Sequence, residues 1–451
     1  MSWCSLKTEK KSAIPISNDN TKQKNAKAMV IGGGVSGIQA ALDIANQDFE
    51  VFLIERAESI GGKMAMLDKT FPTLDCSACI LTPRLSEIAR HPKIRILTLS
   101  EVKSITGKYG DFNVTVVKRA RYVHEDKCSG CGNCIKECPV EMPNQFDQNI
   151  GFRKAIYIPF PQATPNICTI DIESCIHCNR CVRACEREAI DFDITDEEFE
   201  INVGAIIFAT GYDLFDVTKY PRYGYGRLSN VIHALEFERL INAAGPTHGH
   251  LIRLSDGKKP KNIGFVQCVG ARDVKLGVPF CSRVCCMYGI KLGIMAKEHN
   301  PETEVTIYYA DVRAFGKGYE EFYQMARKRY GIHFVNGRVG EIMEDRETHN
   351  LSLMSDDIVN NKLVKAEHDL IVLSPGIQPS NCSESVYEQI GVSLDDEGFV
   401  EDAHPFLGPV NTRNRGIFVC GCSDGPKDIP DSVAAGSAAA MKATIILAGE
   451  V

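Results

Sequence analysis

The stretch KAMVIGGGVSG, Lys27 to Gly37, decides the fold. Lys27 to Ile31 is an apolar run suited to a buried strand, and it enters Gly32-Gly33-Gly34-Val35-Ser36-Gly37 directly. Beyond the turn, Ile38, Ala41, Leu42 and Ala45 share one helical face, and a second apolar run, Glu50 to Ile54, ends at Glu55 and Arg56. Strand, glycine turn, helix, strand and terminal acid form the opening of a dinucleotide-binding unit. Gly32 permits the tight turn, Gly34 lets the backbone approach a pyrophosphate, and Gly37 lets helix and strand pack closely. The helix N-terminus at Val35 and Ser36 offers its N–H groups to phosphate, and Glu55 is placed to bind ribose hydroxyls. Spacing alone leaves NAD and FAD open.

Around this unit the 451 residues carry 51 Lys+Arg against 58 Asp+Glu, a net charge of −7, which argues against a nucleic-acid-binding protein. With 44% apolar and 24% charged residues the chain is globular in composition. No apolar run approaches the roughly 18 residues of a spanning helix, and the first 26 residues contain no signal-peptide core. A cytoplasmic protein is expected, peripheral to a membrane at most through partners. Nineteen cysteines in such a chain point to metal binding or redox chemistry and not to a disulfide framework.

Nine of them lie between Val123 and residue 195. Cys128, Cys131, Cys134 and Cys138-Pro139 form C-x2-C-x2-C-x3-C-P, and Cys175, Cys178, Cys181 and Cys185 repeat the spacing without the proline. This is the bacterial ferredoxin pattern for two [4Fe–4S] clusters, in which the fourth cysteine of each run ligates the other cluster. Cluster one would take Cys128, Cys131, Cys134 and Cys185; cluster two, Cys175, Cys178, Cys181 and Cys138. Structural zinc, the alternative, favours two close pairs across a longer gap and leaves one cysteine of each run unexplained.

Cys268, Cys281, Cys285 and Cys286 match no common zinc spacing, yet four cysteines within 19 residues suffice for one cubane; ordinary buried thiols are the alternative. The preceding strand ends in Cys-Val-Gly, where a second nucleotide site would need a glycine turn. Cys76 and Cys79 form C-x-x-C, with three readings: a redox disulfide, half of a cluster shared with another segment or chain, or two packed thiols. Cys4, Cys168, Cys382, Cys420 and Cys422 lack partner spacing and default to structural roles, and the histidines form no ligand pattern.

Composition and strand signals divide the chain into a flexible segment 1–26, a first dinucleotide-binding part 27–122, an inserted two-cluster ferredoxin domain 123–198, a second part 199–258, a second Rossmann-like domain 259–375, and a closing part 376–451. Apolar runs at Ile201 to Phe208, Asn262 to Cys268, Glu304 to Ala310, Ile332 to Asn336, Asp369 to Ser374 and Gly416 to Cys420 supply strands, and about Asp431 to Ala448 a helix.

Glu55 with Gly61-Gly62-Lys63, Ala209-Thr210-Gly211 and the terminal Gly416 to Gly421 resemble the two-dinucleotide-fold flavoproteins that include thioredoxin reductase, which implies that Gly62, Lys63, Thr210, Gly211 and Gly421 surround FAD. That family usually places Asp directly after the final glycine; here Cys422 stands there, with Asp424 two residues on. Together with Asp75 to Leu81 (DCSACIL), the two-cluster insert, Cys268 to Asp273 (CVGARD), Cys281 to Cys286 (CSRVCC) and Gly425 to Val433 (GPKDIPDSV), the chain from about residue 25 resembles the A-type subunit of heterodisulfide reductase. The A-type subunit of the quinone-interacting membrane-bound oxidoreductase complex is the close alternative.

The resemblance implies an α/β flavoprotein with an inserted α+β ferredoxin domain, a third cluster at the Cys268 group, and work as an electron-transfer subunit converting two-electron flavin chemistry into one-electron transfer, with flavin-based bifurcation in the family. Implied partners are B- and C-type subunits, a hydrogenase- or formate dehydrogenase-linked donor, and a second copy of the chain. The extra N-terminal domain and the second, C-terminal ferredoxin-like domain of long family members are expected from a separate subunit. Lys427 is a candidate for stabilising negative charge near the flavin ring, with a solvated loop lysine as the alternative. Two rival readings are a non-catalytic wiring subunit, which only holds redox centres in line, and a ferredoxin:NAD(P)H oxidoreductase; the missing second glycine turn argues against the latter.

Overall fold

A computed structural model of the protein describes residues 25–381 and 384–449. Cys4, Cys382 and the segment 1–24 lie outside the described residues.

Lys27–Ile31 is the central strand of a five-stranded parallel sheet, flanked by Glu50–Ile54 and Ile94–Leu97 on one side and Ala205–Phe208 and Ile417–Val419 on the other. Its strands are nearly continuous apolar runs because both faces are covered. On one face pack the helices Val35–Ala45 and Ile429–Leu447. The second helix is rich in small residues for a reason visible at Gly436, where a Cβ would stand 2.5 Å from the Ser36 carbonyl oxygen. An antiparallel sheet of Ser100–Lys108, Asp111–Lys118 and Glu197–Val203 helps cover the other face.

The apolar run 201–208, expected as one strand, is two. Glu197–Val203 pairs antiparallel with Asp111–Lys118, whereas Ala205–Phe208 joins the parallel sheet. The break falls at Gly204, where a Cβ would lie 2.2 Å from the Asn25 carbonyl oxygen. Glu197 and Glu198 accordingly belong to this sheet and not to the insert.

The intervening segment has its own small core around Val123, Ile156, Ile167, Ile170 and Ile190, and its ends are joined by a bridge between Val123 and Ile190. Its two five-residue helices are built alike. Asn133–Glu137 and Arg180–Ala184 are entered through left-handed Gly132 and Asn179, carry Cys134 and Cys181 at their second positions, and stop at Cys138 and Cys185.

A second parallel sheet runs in the order Val231–His233, Leu370–Pro375, Asn262–Val269, Glu304–Tyr309, His333–Asn336. This corrects the boundary placed at 258. Val231–His233 and the helix Ala234–Ile241 belong to the second unit, and Phe215, Tyr220 and Tyr223 already pack in its core. The three-residue strand is too short to announce its sheet; pairing with Leu370–Pro375, far away in sequence, decides it. A short antiparallel pair, Tyr212–Leu214 with Ile377–Pro379, carries the chain between the two sheets.

Candidate functional site

A cleft of about 490 Å³ opens at the C-terminal end of Lys27–Ile31 and is walled by all three parts of the molecule. From the first sheet come Gly32, Gly34, Val35, Ser36, Glu55, Arg56, Gly62, Lys63, Thr210 and Gly211. The insert contributes Asn144, Phe146, Tyr157 and Phe160; the second unit contributes Leu235, Glu238, Tyr288 and Lys291.

The glycine turn has the cradle geometry. Gly32, at φ +111°, would place a Cβ 2.2 Å from the Ala209 carbonyl oxygen, and Gly37 would place one 1.9 Å from the Gly32 carbonyl oxygen. Gly34 differs: its Cβ direction meets nothing within 4 Å, so the backbone there is bare toward the cleft. Glu55 is held by N–H bonds from Gly33 (2.7 Å) and Ala57 (2.9 Å), and burial raises its carboxyl above the usual range. These features fit a dinucleotide, with pyrophosphate over Gly34 and ribose at Glu55.

The loop after the last strand places its expected residues unevenly. Asp424 is not among the residues that line the cleft; its buried carboxylate is held by the Lys427 ammonium, while Cys422 lines the cleft and donates to the Lys427 carbonyl oxygen at 3.4 Å. Lys427 lines the cleft, but its Nζ is committed to Asp424 and is no solvated loop lysine. Gly37 packs the helix against the turn, as its place in the motif implies, and Gly421 leaves room for Ser36, whose Oγ would lie 2.4 Å from a Cβ there. Ser423, which spacing did not single out, accepts from the Gly211 N–H at 3.1 Å and bonds Thr210 Oγ1 at 3.1 Å, closing the two strand ends together.

Sequence reading also missed the most deeply buried charges of the cleft wall. Lys291 and Glu238, 2% and 3% exposed, form an ion pair; the ammonium also donates to the Lys69 carbonyl oxygen at 2.8 Å, and Glu238 accepts from the Asp68 N–H at 3.0 Å. Lys291 sits inside an apolar helix and Glu238 in a buried one beside Glu236 and Arg239, and a sequence separation of 53 residues hides the pairing.

In the insert, Cys138 stands with Cys175, Cys178 and Cys181 around one small cavity, otherwise lined by apolar residues and Asn179. A cubane gives each thiolate its own iron. Among the described residues no group of three or more His, Cys, Asp or Glu side chains has the arrangement that holds a single metal ion. The first cysteine of each run accepts an N–H from the residue two positions on, Gly130 to Cys128 and His177 to Cys175, both at 3.4 Å, through left-handed residues at φ +68° and +50°. Such N–H groups stabilise thiolate charge. Cys168, not counted among ligands, is buried 3.5 Å from the Cys134 sulfur.

The third group repeats this turn. Arg283, at φ +59°, donates its N–H to Cys281 Sγ at 3.3 Å. Cys285 bonds both Cys268 and Cys286, and with help from Arg272 and Arg338 draws the Cys268 thiol down to about 7. Where a nucleotide turn would need open space, a Cβ at Gly270 would strike the Phe215 ring at 1.9 Å. Cys76 and Cys79 are exposed; Cys76 caps the helix Ser77–Arg90 and accepts from the Cys79 N–H at 3.3 Å. Cys420 is core, its thiol pushed up by burial to about 12.

No described helix is long and apolar enough to cross a membrane. Residues 127–190 match the 4Fe-4S dicluster domain family, and residues 30–90 the NAD(P)-binding Rossmann-like domain family. In overall fold the chain is similar to the thioredoxin reductase of T. acidophilum, with a TM-score of 0.52 at 14% identity, covering 93% of this chain and 98% of that one. In sequence it is 54% identical over 94% of its length to the second iron–sulfur A-type subunit of the CoB–CoM heterodisulfide reductase of Methanopyrus kandleri. It is 51% identical over 94% of its length to the A-type subunit of the H(2):CoB-CoM heterodisulfide,ferredoxin reductase of Methanothermobacter thermautotrophicus. The chain spans 65% and 64% of the length of these two relatives. With about half of its residues identical over 94% of its length, the chain is a relative of the heterodisulfide reductase A-type subunits across about two thirds of their length.

Proposed function

We propose that the chain is the FAD- and iron–sulfur-carrying electron-transfer subunit of a heterodisulfide-reductase-like complex, an oxidoreductase working in a reducing, cytoplasmic compartment. One observation carries this reading: a single cleft is bordered both by the two-cluster insert, through Phe146, Tyr157 and Phe160, and by Tyr288, one helical turn from Cys285. FAD bound there exchanges electrons in pairs or singly, and each cubane takes one at a time.

The chain's own residues divide the work. Gly34 and the first turn of Val35–Ala45 receive the pyrophosphate, Glu55 the ribose, and Gly62, Lys63, Thr210 and Gly211 the inner part of the cofactor. Lys291 brings a buried positive charge to the inner wall, held in place by Glu238. Cys128, Cys131, Cys134 and Cys185 hold the first insert cluster, Cys138, Cys175, Cys178 and Cys181 the second, and Cys268, Cys281, Cys285 and Cys286 a third. For partners we propose B- and C-type subunits and a hydrogenase- or formate-linked donor. The relatives are named as A-type members of multi-subunit reductases, and the one in Methanococcus maripaludis as part of an H(2)/formate-linked reductase, which supports that choice.

Anaerobic iron, sulfide and flavin quantitation tests the assignment: about twelve irons and one FAD per chain are expected, with Cys281→Ala losing about four irons and retaining FAD. Unchanged iron in that variant would return the Cys268 group to a structural role. Iron near sixteen in the wild type would add a shared cluster at Cys76 and Cys79.

A further inference from the structure

The two halves of the insert repeat each other in sequence, yet one has a thiol that the other lacks. Seven residues before Cys128 stands Arg121, and seven before Cys175 stands Cys168. Cys168 is 1% exposed. It is positioned from outside both cysteine runs, by the pairing of Thr169–Ile170 with Ile156–Tyr157 and by the Ile170 N–H bond to the Arg121 carbonyl oxygen at 3.2 Å. Its sulfur lies 3.5 Å from Cys134 Sγ, and a Cys134 thiolate bound to iron has no proton, so Cys168 is the donor of that bond. Around Cys138, Cys175, Cys178 and Cys181 no described residue adds such a thiol: the remaining lining is Asn179 and apolar residues such as Val140, Ile156 and Phe192.

This asymmetry has an electrochemical consequence. On reduction a cubane gains one negative charge, shared with its thiolate ligands, so a donor to a ligand sulfur stabilises the reduced form more than the oxidised one and raises the potential. The first half also lies on the side of the main cleft. Gly130 and Asn166 border a second cavity, of about 390 Å³, whose walls include Asn144, Phe146, Pro159 and Phe160, and these four residues also line the cleft.

We propose that Cys168 is a tuning thiol and not a ligand: it donates its one hydrogen bond to the Cys134 sulfur and holds the first insert cluster at a higher potential than the second. The inference rests on the two-cluster reading of the insert. The step it governs is one electron passing from the reduced second cluster to the oxidised first, with no bond made or broken and no further reactant. An electron entering the insert therefore comes to rest beside the flavin cleft.

The test is an anaerobic redox titration followed by EPR on the complete, cluster-loaded protein, comparing wild type, Cys168→Ala and Cys168→Ser. Cys168→Ala is expected to lower one cluster midpoint so that the partition of an electron between the insert clusters shifts about tenfold, ~59 mV for a one-electron couple. Iron, FAD and the other midpoints should stay as in wild type. Cys168→Ser, which keeps a donor, should restore the midpoint. Unmoved midpoints in Cys168→Ala overturn the proposal, and so does a loss of about four irons, which would make Cys168 a ligand. A wild type without two insert clusters would overturn the underlying reading as well, and its own iron count identifies that outcome.

Discussion

Replacing Lys291 by Met asks whether the charged pair of the cleft wall acts as a unit. Both side chains are almost completely buried, at 2% and 3% exposure. At an effective dielectric constant near 20, two unit charges about 4 Å apart attract by about 4 kcal/mol, while removing each from water costs several. The pair is thus close to balanced, and its net contribution to stability is small. Half of it is not balanced. Lys291→Met strands the Glu238 carboxylate, which keeps one N–H bond from Asp68, and also frees the Lys69 carbonyl oxygen. The expected cost is ~3–5 kcal/mol. Glu238→Gln, which strands the ammonium, should cost a similar amount. The double variant removes both charges in nearly the same volume and should recover most of the loss, a coupling of ~2–4 kcal/mol. Anaerobic urea unfolding of the flavin- and cluster-loaded protein, followed by flavin fluorescence and ellipticity, measures all four corners of the cycle. Additivity within ~0.5 kcal/mol would refute the reasoning, because it would mean that the two charges do not feel each other.

Two glycines of the first turn should separate folding from binding. Gly37→Ala forces a Cβ to 1.9 Å from the Gly32 carbonyl oxygen and should lower both stability and FAD content, whereas Gly34→Ala meets nothing within 4 Å and should weaken FAD affinity about tenfold or more with an unchanged unfolding midpoint. Flavin titration with a parallel melt decides it, and wild-type affinity in Gly34→Ala would remove Gly34 from the pyrophosphate site. The third case concerns pH. Burial raises Glu236 from 4.5 to about 7, so the folded state holds a proton that the unfolded state has released, and this contribution to stability is lost as pH rises toward 7. Burial lowers His233 and His368 from 6.5 to about 4, so their contribution instead grows as pH rises toward 6.5. Glu236→Gln keeps the capping bond to the His233 N–H and removes the first slope, so stability should climb more steeply than wild type between about pH 5.5 and 6.5. Parallel stability profiles would refute the assignment.

What was legible in the sequence was chemistry written within a few residues. The turn at Gly32 to Gly37 and the x2 cysteine runs depend on backbone geometry over a handful of positions, so spacing specifies them wherever the chain places them. The crossing of Cys138 to the Cys175 run was also foreseeable, because the ferredoxin repeat carries its own pairing rule. Tertiary structure alone decided the features that need two distant segments. Val231–His233 is too short to declare its sheet until Leu370–Pro375 lies beside it. Glu238 and Lys291 read as isolated charges until two helices bring them into contact inside the cleft wall. Cys168 has no spacing partner, and only the pairing of its strand puts it against Cys134. At Asp424 the residues are near neighbours, but the partner of a side chain is set by what packs around it, and the fold commits the buried carboxylate to Lys427 while Cys422 lines the cleft. Local pattern determined which chemical groups this protein has; burial and long-range pairing determined which of them meet, because a charge or a thiol acquires its function from neighbours that the folded chain alone supplies.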